Sequence, residues 1–163
     1  MKTTLNAIRA CAPCADGWSK LLAHLGKTGP DDEPLSLLTI LDSNGLDDTL
    51  WSLRAVEGFE REKRLYAVWC ARQVEHLLTD QRSRVALDVA ERYARGRATP
   101  EELDAAYAAA DAAYAAYATA AYAAAYAAAD AAADAAYAAQ SAEFRRVCAC
   151  IDAGRDPYPE ANV

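Results

Sequence analysis

Over the first hundred positions, apolar side chains recur at steps of three and four residues, the period of a helix that buries one face. Thr3 to Gly26 reads as one or two short helices interrupted at Pro13, with Trp18, Leu21, Leu22 and Leu25 as the apolar stripe and Gly26 as the stop. Thr28 to Glu33 is a polar loop. Pro34 then suits the first turn of a helix carrying Leu35, Leu37, Leu38, Ile40 and Leu41, which Asn44 and Gly45 end through a left-handed cap. Asp47 or Asp48 can cap the next helix, with Leu50, Trp51, Leu53 and Val56, before Gly58 interrupts the pattern. From Phe59 to Leu78 a longer amphipathic helix places Phe59, Tyr66, Trp69, Cys70, Val74, Leu77 and Leu78 on one side, and this is the expected centre of the core. Asp80 caps a further helix with the stripe Val85, Val89 and Tyr93, closed by Gly96.

The pattern changes character at Thr99. Thr99 as N-cap, Pro100 at the first helical position and Glu102 three residues after the cap make a capping box. Between Ala105 and Ala139, 25 of 35 residues are Ala, with 6 Tyr, 3 Asp and 1 Thr, and no Gly, Pro or Leu. Alanine has the highest helix propensity of any residue, so this stretch is helical almost regardless of context. Residues 100–153 have no Gly or Pro after Pro100, and one straight helix of that length would run about 80 Å. A compact domain of this chain length has a radius of gyration of only about 15 Å. The landmarks Asp104, Tyr107, Asp111, Tyr114 and Tyr117, then Tyr122, Tyr126, Asp130, Asp134 and Tyr137, step by three or four except between Tyr117 and Tyr122. That step of five rotates the stripe around the helix and predicts a break or bend near 118–121. The expected architecture is all-α: a single-domain helical bundle over residues 1–153, with mixed-core helices in 1–98 and Ala-rich helices in 99–153, followed by an irregular tail at 154–163.

Charge sharpens this division. Residues 1–99 carry 14 acidic and 14 basic side chains, whereas residues 100–163 carry 10 and 3, so the whole formal charge of −7 belongs to the last third. An acidic helical segment is unsuited to direct nucleic-acid binding and suits a basic protein surface or plain solvation. No apolar run approaches the length of a membrane span, and the N-terminus lacks the continuous apolar core of a secretory signal. The expectation is a cytoplasmic protein with no membrane partner. Five cysteines, an odd number with closely spaced pairs, fit reduced thiols better than an extracellular disulfide framework.

Few residues offer reactive chemistry. Cys11-Ala12-Pro13-Cys14 has thioredoxin-type spacing, but neither a preceding strand nor a βαβ pattern accompanies it. Cys11, Cys14, Cys148 and Cys150 could make a four-thiolate zinc site if the two ends of the domain met, although Cys-x-Cys is the less usual spacing and the favoured reading has no metal. The run Asp42 to Asp48 superficially resembles a calcium loop, yet Gly45 stands fourth and Leu53 twelfth where an EF-hand needs Gly sixth and Glu twelfth. His24 and His76 have no nucleophile beside them in sequence. The Ala-rich helix has a single Thr, Thr119, and so lacks the Thr ladder of an ice-binding surface. The expectation is therefore no enzyme and no cofactor. The Tyr stripe either packs against the helices of the first hundred residues or, beside the aspartates, makes an interaction surface, because Tyr brings contact area at low entropic cost. The candidate partner-binding residues are Asp104, Tyr107, Asp111, Tyr114, Tyr122, Tyr126, Asp130, Asp134 and Tyr137.

Tyr66 to Ala116 resembles an Ala-rich, helical, immunity-protein-like family of bacteria and phages. The matching residues are Ala67-Val68-Trp69-Cys70-Ala71-Arg72-Gln73-Val74, Asp80, Arg82, and Ala86 to Gly96 ahead of the Ala-dominated segment. Leu37 to Val56, through Ser43-Asn44-Gly45-Leu46-Asp47-Asp48, is similar to small phage-encoded proteins with the same Ala-rich ending. The resemblance implies a non-catalytic inhibitor in bacterium and phage conflict that binds a toxin or a component of a host defence system, with anti-CRISPR activity as one version. The alternative is a structural protein that assembles with copies of itself through the Ala-rich helices.

Overall fold

The computed structural model describes the backbone of residues 1–78, 80–117 and 122–160, and the side chains of these residues except 113–132. The chain is all-α: the described residues hold eight α-helices and one two-stranded sheet of two residues per strand. They group into two compact units, Met1–Phe59 together with the chain from Phe144 onward, and Glu60–Glu143.

In the first unit, helices α1 (Leu5–Ala10) and α2 (Ala15–Leu25) are separated by the Cys-Ala-Pro-Cys segment, as the interruption at Pro13 predicts. Thr4 caps α1 by accepting the Ala7 N–H at 3.1 Å, and Gly26 ends α2 in the left-handed region at φ 64°. Strands β1 (Lys2–Thr3) and β2 (Leu35–Ser36) pair antiparallel, with Lys2 opposite Ser36 and Thr3 opposite Leu35. Leu35 therefore lies outside the helix the sequence places it in. Helix α3 (Leu37–Asn44) starts after Ser36, whose hydroxyl accepts the Leu38 N–H at 3.2 Å and fills the capping role that Pro34 cannot.

Gly45 also departs from expectation. At φ 92° and ψ −179° it is no left-handed cap; it turns the chain out of α3 and directly into α4 (Leu46–Ser52). Asp47 and Asp48 lie in the first turn of α4, where acid complements the helix dipole, and neither caps it. Asp48 instead accepts from Asn44 Nδ2 at 2.7 Å, and the same amide donates to the Gly17 carbonyl at 2.8 Å. A Cβ on Gly17 would stand 2.7 Å from Asp48 Oδ2, so glycine is what lets α2 approach this junction.

In the second unit, α5 (Glu60–Gln73) ends five residues short of the predicted Leu78, and Glu75–Leu77 continue as a single 3₁₀ turn. The forked guanidinium of Arg72 stands at this transition: it binds Glu75 at 3.0 Å, three residues on, while reaching Asp88 at 2.7 Å and Glu91 at 3.1 Å. The last two lie on α6 (Gln81–Ala94), which Asp80 caps as expected. The guanidinium and backbone N–H of Arg82 hold the Asp80 carboxyl down at about 2. Helix α7 (Pro100–Tyr117) opens on the predicted capping box, with the Thr99 N–H on Glu102 Oε2 at 2.8 Å and the Glu102 N–H on Thr99 Oγ1 at 3.2 Å. Helix α8 (Tyr122–Asp152) gives its first part to this unit and its last part, from Phe144, to the first unit. The predicted break at 118–121 lies outside the described residues.

The centre of the core is another correction. The largest fully buried side chains are Phe144, Leu5, Leu37, Ile40, Leu46, Val147, Thr49 and Cys148, all in the first unit. From the segment expected to form that centre, Leu65, Tyr66 and Val68 are buried, but Val74 is exposed and Leu77 is 65% exposed. The end of α8 closes the first unit through Phe144 and Val147, whereas α7 brings mostly methyl groups to the second and cannot build as large a core there. Replacing Phe144 with Ala should destabilise the protein by about 3–5 kcal/mol in chemical denaturation, and Leu77→Ala by less than about 0.5 kcal/mol. Equal costs at the two positions would contradict this placement of the core.

Candidate protein-binding surface

Helix α7 projects Asp104, Tyr107 and Asp111 at positions i, i+3 and i+7, a spacing that puts all three on one face. All three are exposed, with Tyr107 at 50%. On α8, Asp134 and Tyr137 lie three residues apart and are also exposed, Tyr137 at 41%. Tyr114, Tyr122, Tyr126 and Asp130 have side chains outside the described set. Both rings are part exposed, and Tyr107 at the same time lines a cavity with residues of α5 and α6.

Residues 98–144 contain seven carboxylates and no Lys or Arg. Glu102 is paired with Arg92 at 3.3 Å, but Asp104, Asp111 and Asp134 make no ion pair among the described residues. The carboxylates of α5 and α6 are in a different situation. Glu75, Asp88 and Glu91 converge on Arg72, Glu91 also takes Arg95 at 3.2 Å, and Glu60 takes Lys63 at 2.8 Å. The unpaired aspartates of α7 and α8 thus stand in a stretch without Lys or Arg, beside half-exposed aromatic rings, an arrangement that favours encounter with a cationic surface.

The other sequence candidates resolve differently. Cys14 is exposed and caps α2, its sulfur accepting the Gly17 N–H at 3.4 Å. A strand does precede the Cys-x-x-Cys motif, but it is two residues long and α1 intervenes. Cys148 is fully buried, and that burial pushes its thiol up to about 11. No three of Cys11, Cys14, Cys148 and Cys150 are brought together: among the described residues no group of three or more His, Cys, Asp or Glu could hold a metal ion. The four-thiolate zinc alternative is therefore not realised. The segment Asp42–Asp48 is a helix junction, with Asp42 paired to Arg145 and Asp48 to Asn44, and His24 and His76 are both exposed. Sequence reasoning missed a cavity of about 360 Å³ bordered by α5, α6 and α7. Its only forewarning is small residues four apart, Ala67 with Ala71 and Ala86 with Ala90, in helices otherwise read for their large apolar stripes.

Comparison with protein-family models, with characterised proteins and with solved structures finds no match to this chain.

The thiols provide a check on the geometry. At pH 8 in the folded protein, Cys14 should be the first to react with a disulfide reagent. Cys148 should stay silent until denaturant is added, because its thiol is both buried and protonated. Since the fold favours the protonated form of Cys148, it contributes stability that is present at neutral pH and is lost as pH rises through about 11. Modification of Cys148 at the rate of Cys14 without denaturant would contradict this burial.

Proposed function

We propose that this chain is a non-enzymatic protein-binding inhibitor that occupies a basic surface of its target with the acidic, Tyr-bearing face of α7 and α8. The observation that carries the reading is the set of exposed aspartates without cationic partners, Asp104, Asp111 and Asp134, in a 47-residue stretch free of Lys and Arg. Long-range attraction between such a face and a positive patch speeds encounter and selects against other acidic surfaces. Tyr107 and Tyr137 supply the contact area that charge alone lacks. The likeness of Tyr66 to Ala116 to immunity-like proteins supports the target class, a toxin or a host defence component. Where that target is a nuclease, as in anti-CRISPR action, the carboxylates stand in for phosphates and compete with nucleic acid for the same cations.

Affinity capture from a bacterial host lysate, followed by identification of the captured protein, names the target. Changing Asp104, Asp111 and Asp134 together to Asn should weaken that binding by roughly tenfold at low ionic strength and flatten its salt dependence. Unchanged affinity would reject the electrostatic face. Light scattering that finds an obligate homo-oligomer with no captured partner would favour assembly through the Ala-rich helices.

A further inference from the structure

In the second unit, α6 forms the floor of the cavity and α5 and α7 its sides. Ala86 and Ala90 lie on the floor, Ala67 and Ala71 on one side, and Leu103 and Tyr107 on the other. Alanines contribute only methyl groups to the lining, and about 360 Å³ is left open. That is roughly ten times the share of one water molecule in the liquid and within the range of small-ligand sites, about 300–1,000 Å³. The lining is mainly apolar, so water held there finds few hydrogen-bond partners and is readily displaced.

One cation stands at this cavity. Arg64 borders it, is exposed, and makes no ion pair among the described residues, whereas Arg72, Arg82, Arg92 and Arg95 are each tied to a carboxylate. The nearby Glu60 is hydrogen-bonded to Lys63 and attracts Arg64 only at longer range. The Arg64 guanidinium lies 5.2 Å from the centre of the Tyr93 ring, which also lines the cavity. A guanidinium held against a ring by cation–π attraction spends no N–H donor on it, so the fork that binds a carboxylate bidentately stays available. A cation without an ion pair beside an apolar chamber complements a ligand with one negative charge and an apolar body.

We propose that this cavity binds a small amphipathic carboxylate, its carboxyl group on Arg64 and its aliphatic or aromatic body over Ala86 and Ala90 between α5 and α7. The site shares Tyr107 with the acidic face used in the proposed function but none of its aspartates, and Arg64 lies outside that face, so either can fail alone.

Calorimetric titration of the full chain with decanoate below its micellar range, with decanol as the uncharged control, tests the assignment. Wild-type protein should bind decanoate saturably at one site. Arg64→Gln, a change at an exposed position, should weaken decanoate by about tenfold and leave decanol unchanged. Ala67→Phe, which fills the chamber from a position that is itself exposed, should abolish both; if that variant does not fold, the comparison of decanoate with decanol on Arg64→Gln decides alone. No saturable binding, or equal loss of decanoate and decanol on Arg64→Gln, overturns the proposal. Concentration-dependent self-association that Ala67→Phe removes would assign the cavity to a second copy and overturn it equally.

Discussion

A buried methyl group contributes far less than a buried Leu or Phe, the difference running near 0.8 kcal/mol for each additional CH₂. A helix made almost wholly of alanine therefore forms readily but has little with which to grip its neighbours, and the second half of this chain is built around that constraint. Helix α7 is fixed at its beginning by the capping box of Thr99 and Glu102 and by the Arg92 ion pair, and through Leu103 and Tyr107 it meets the floor formed by α6. Helix α8 is held in the second unit where the Tyr66 hydroxyl donates to the Gln140 carbonyl at 3.1 Å, and in the first where Phe144, Val147 and Cys148 are fully buried. Large side chains at a few places hold helices on which Asp104, Asp111 and Asp134 are left exposed.

Charge follows the same division. Arginines on α5 and α6 absorb their local carboxylates, most densely at Arg72, which gathers three. These pairs are partly exposed and contribute modestly to stability, but they leave that part of the second unit nearly balanced. The aspartates at Asp104, Asp111 and Asp134 have no such partners. An acidic face left open on helices with little else to offer is the physical basis for reading the chain as a binder.

Much of the local architecture was legible because it rests on short-range chemistry. Thr99 and Glu102, Asp80, and the glycine stop at Gly26 all work through hydrogen bonds or backbone freedom within a few residues, and these positions behave as their side chains dictate. The misreadings arose where a distant partner intervened. Leu35 and Ser36 pair with Lys2 and Thr3 more than thirty positions away, and α5 stops at Gln73 in the company of an arginine that also bridges to α6. The core was misplaced for a related reason: apolar periodicity reports which face is buried and says nothing of what lies opposite, and the Phe59–Leu78 stripe belongs to a unit whose α7 is largely alanine. For the candidate surface, sequence supplied the residues and their spacing, while the exposure of Tyr107 and Tyr137 and the absence of counter-charges needed coordinates.

Hydrogen exchange on the protein bound to its captured target tests the central claim most directly. The account predicts that the added protection falls on peptides covering residues 101–112 and 133–139, while α3 and α4 exchange as they do in the free protein. Protection confined to the first unit, with the acidic helices unchanged, would contradict it.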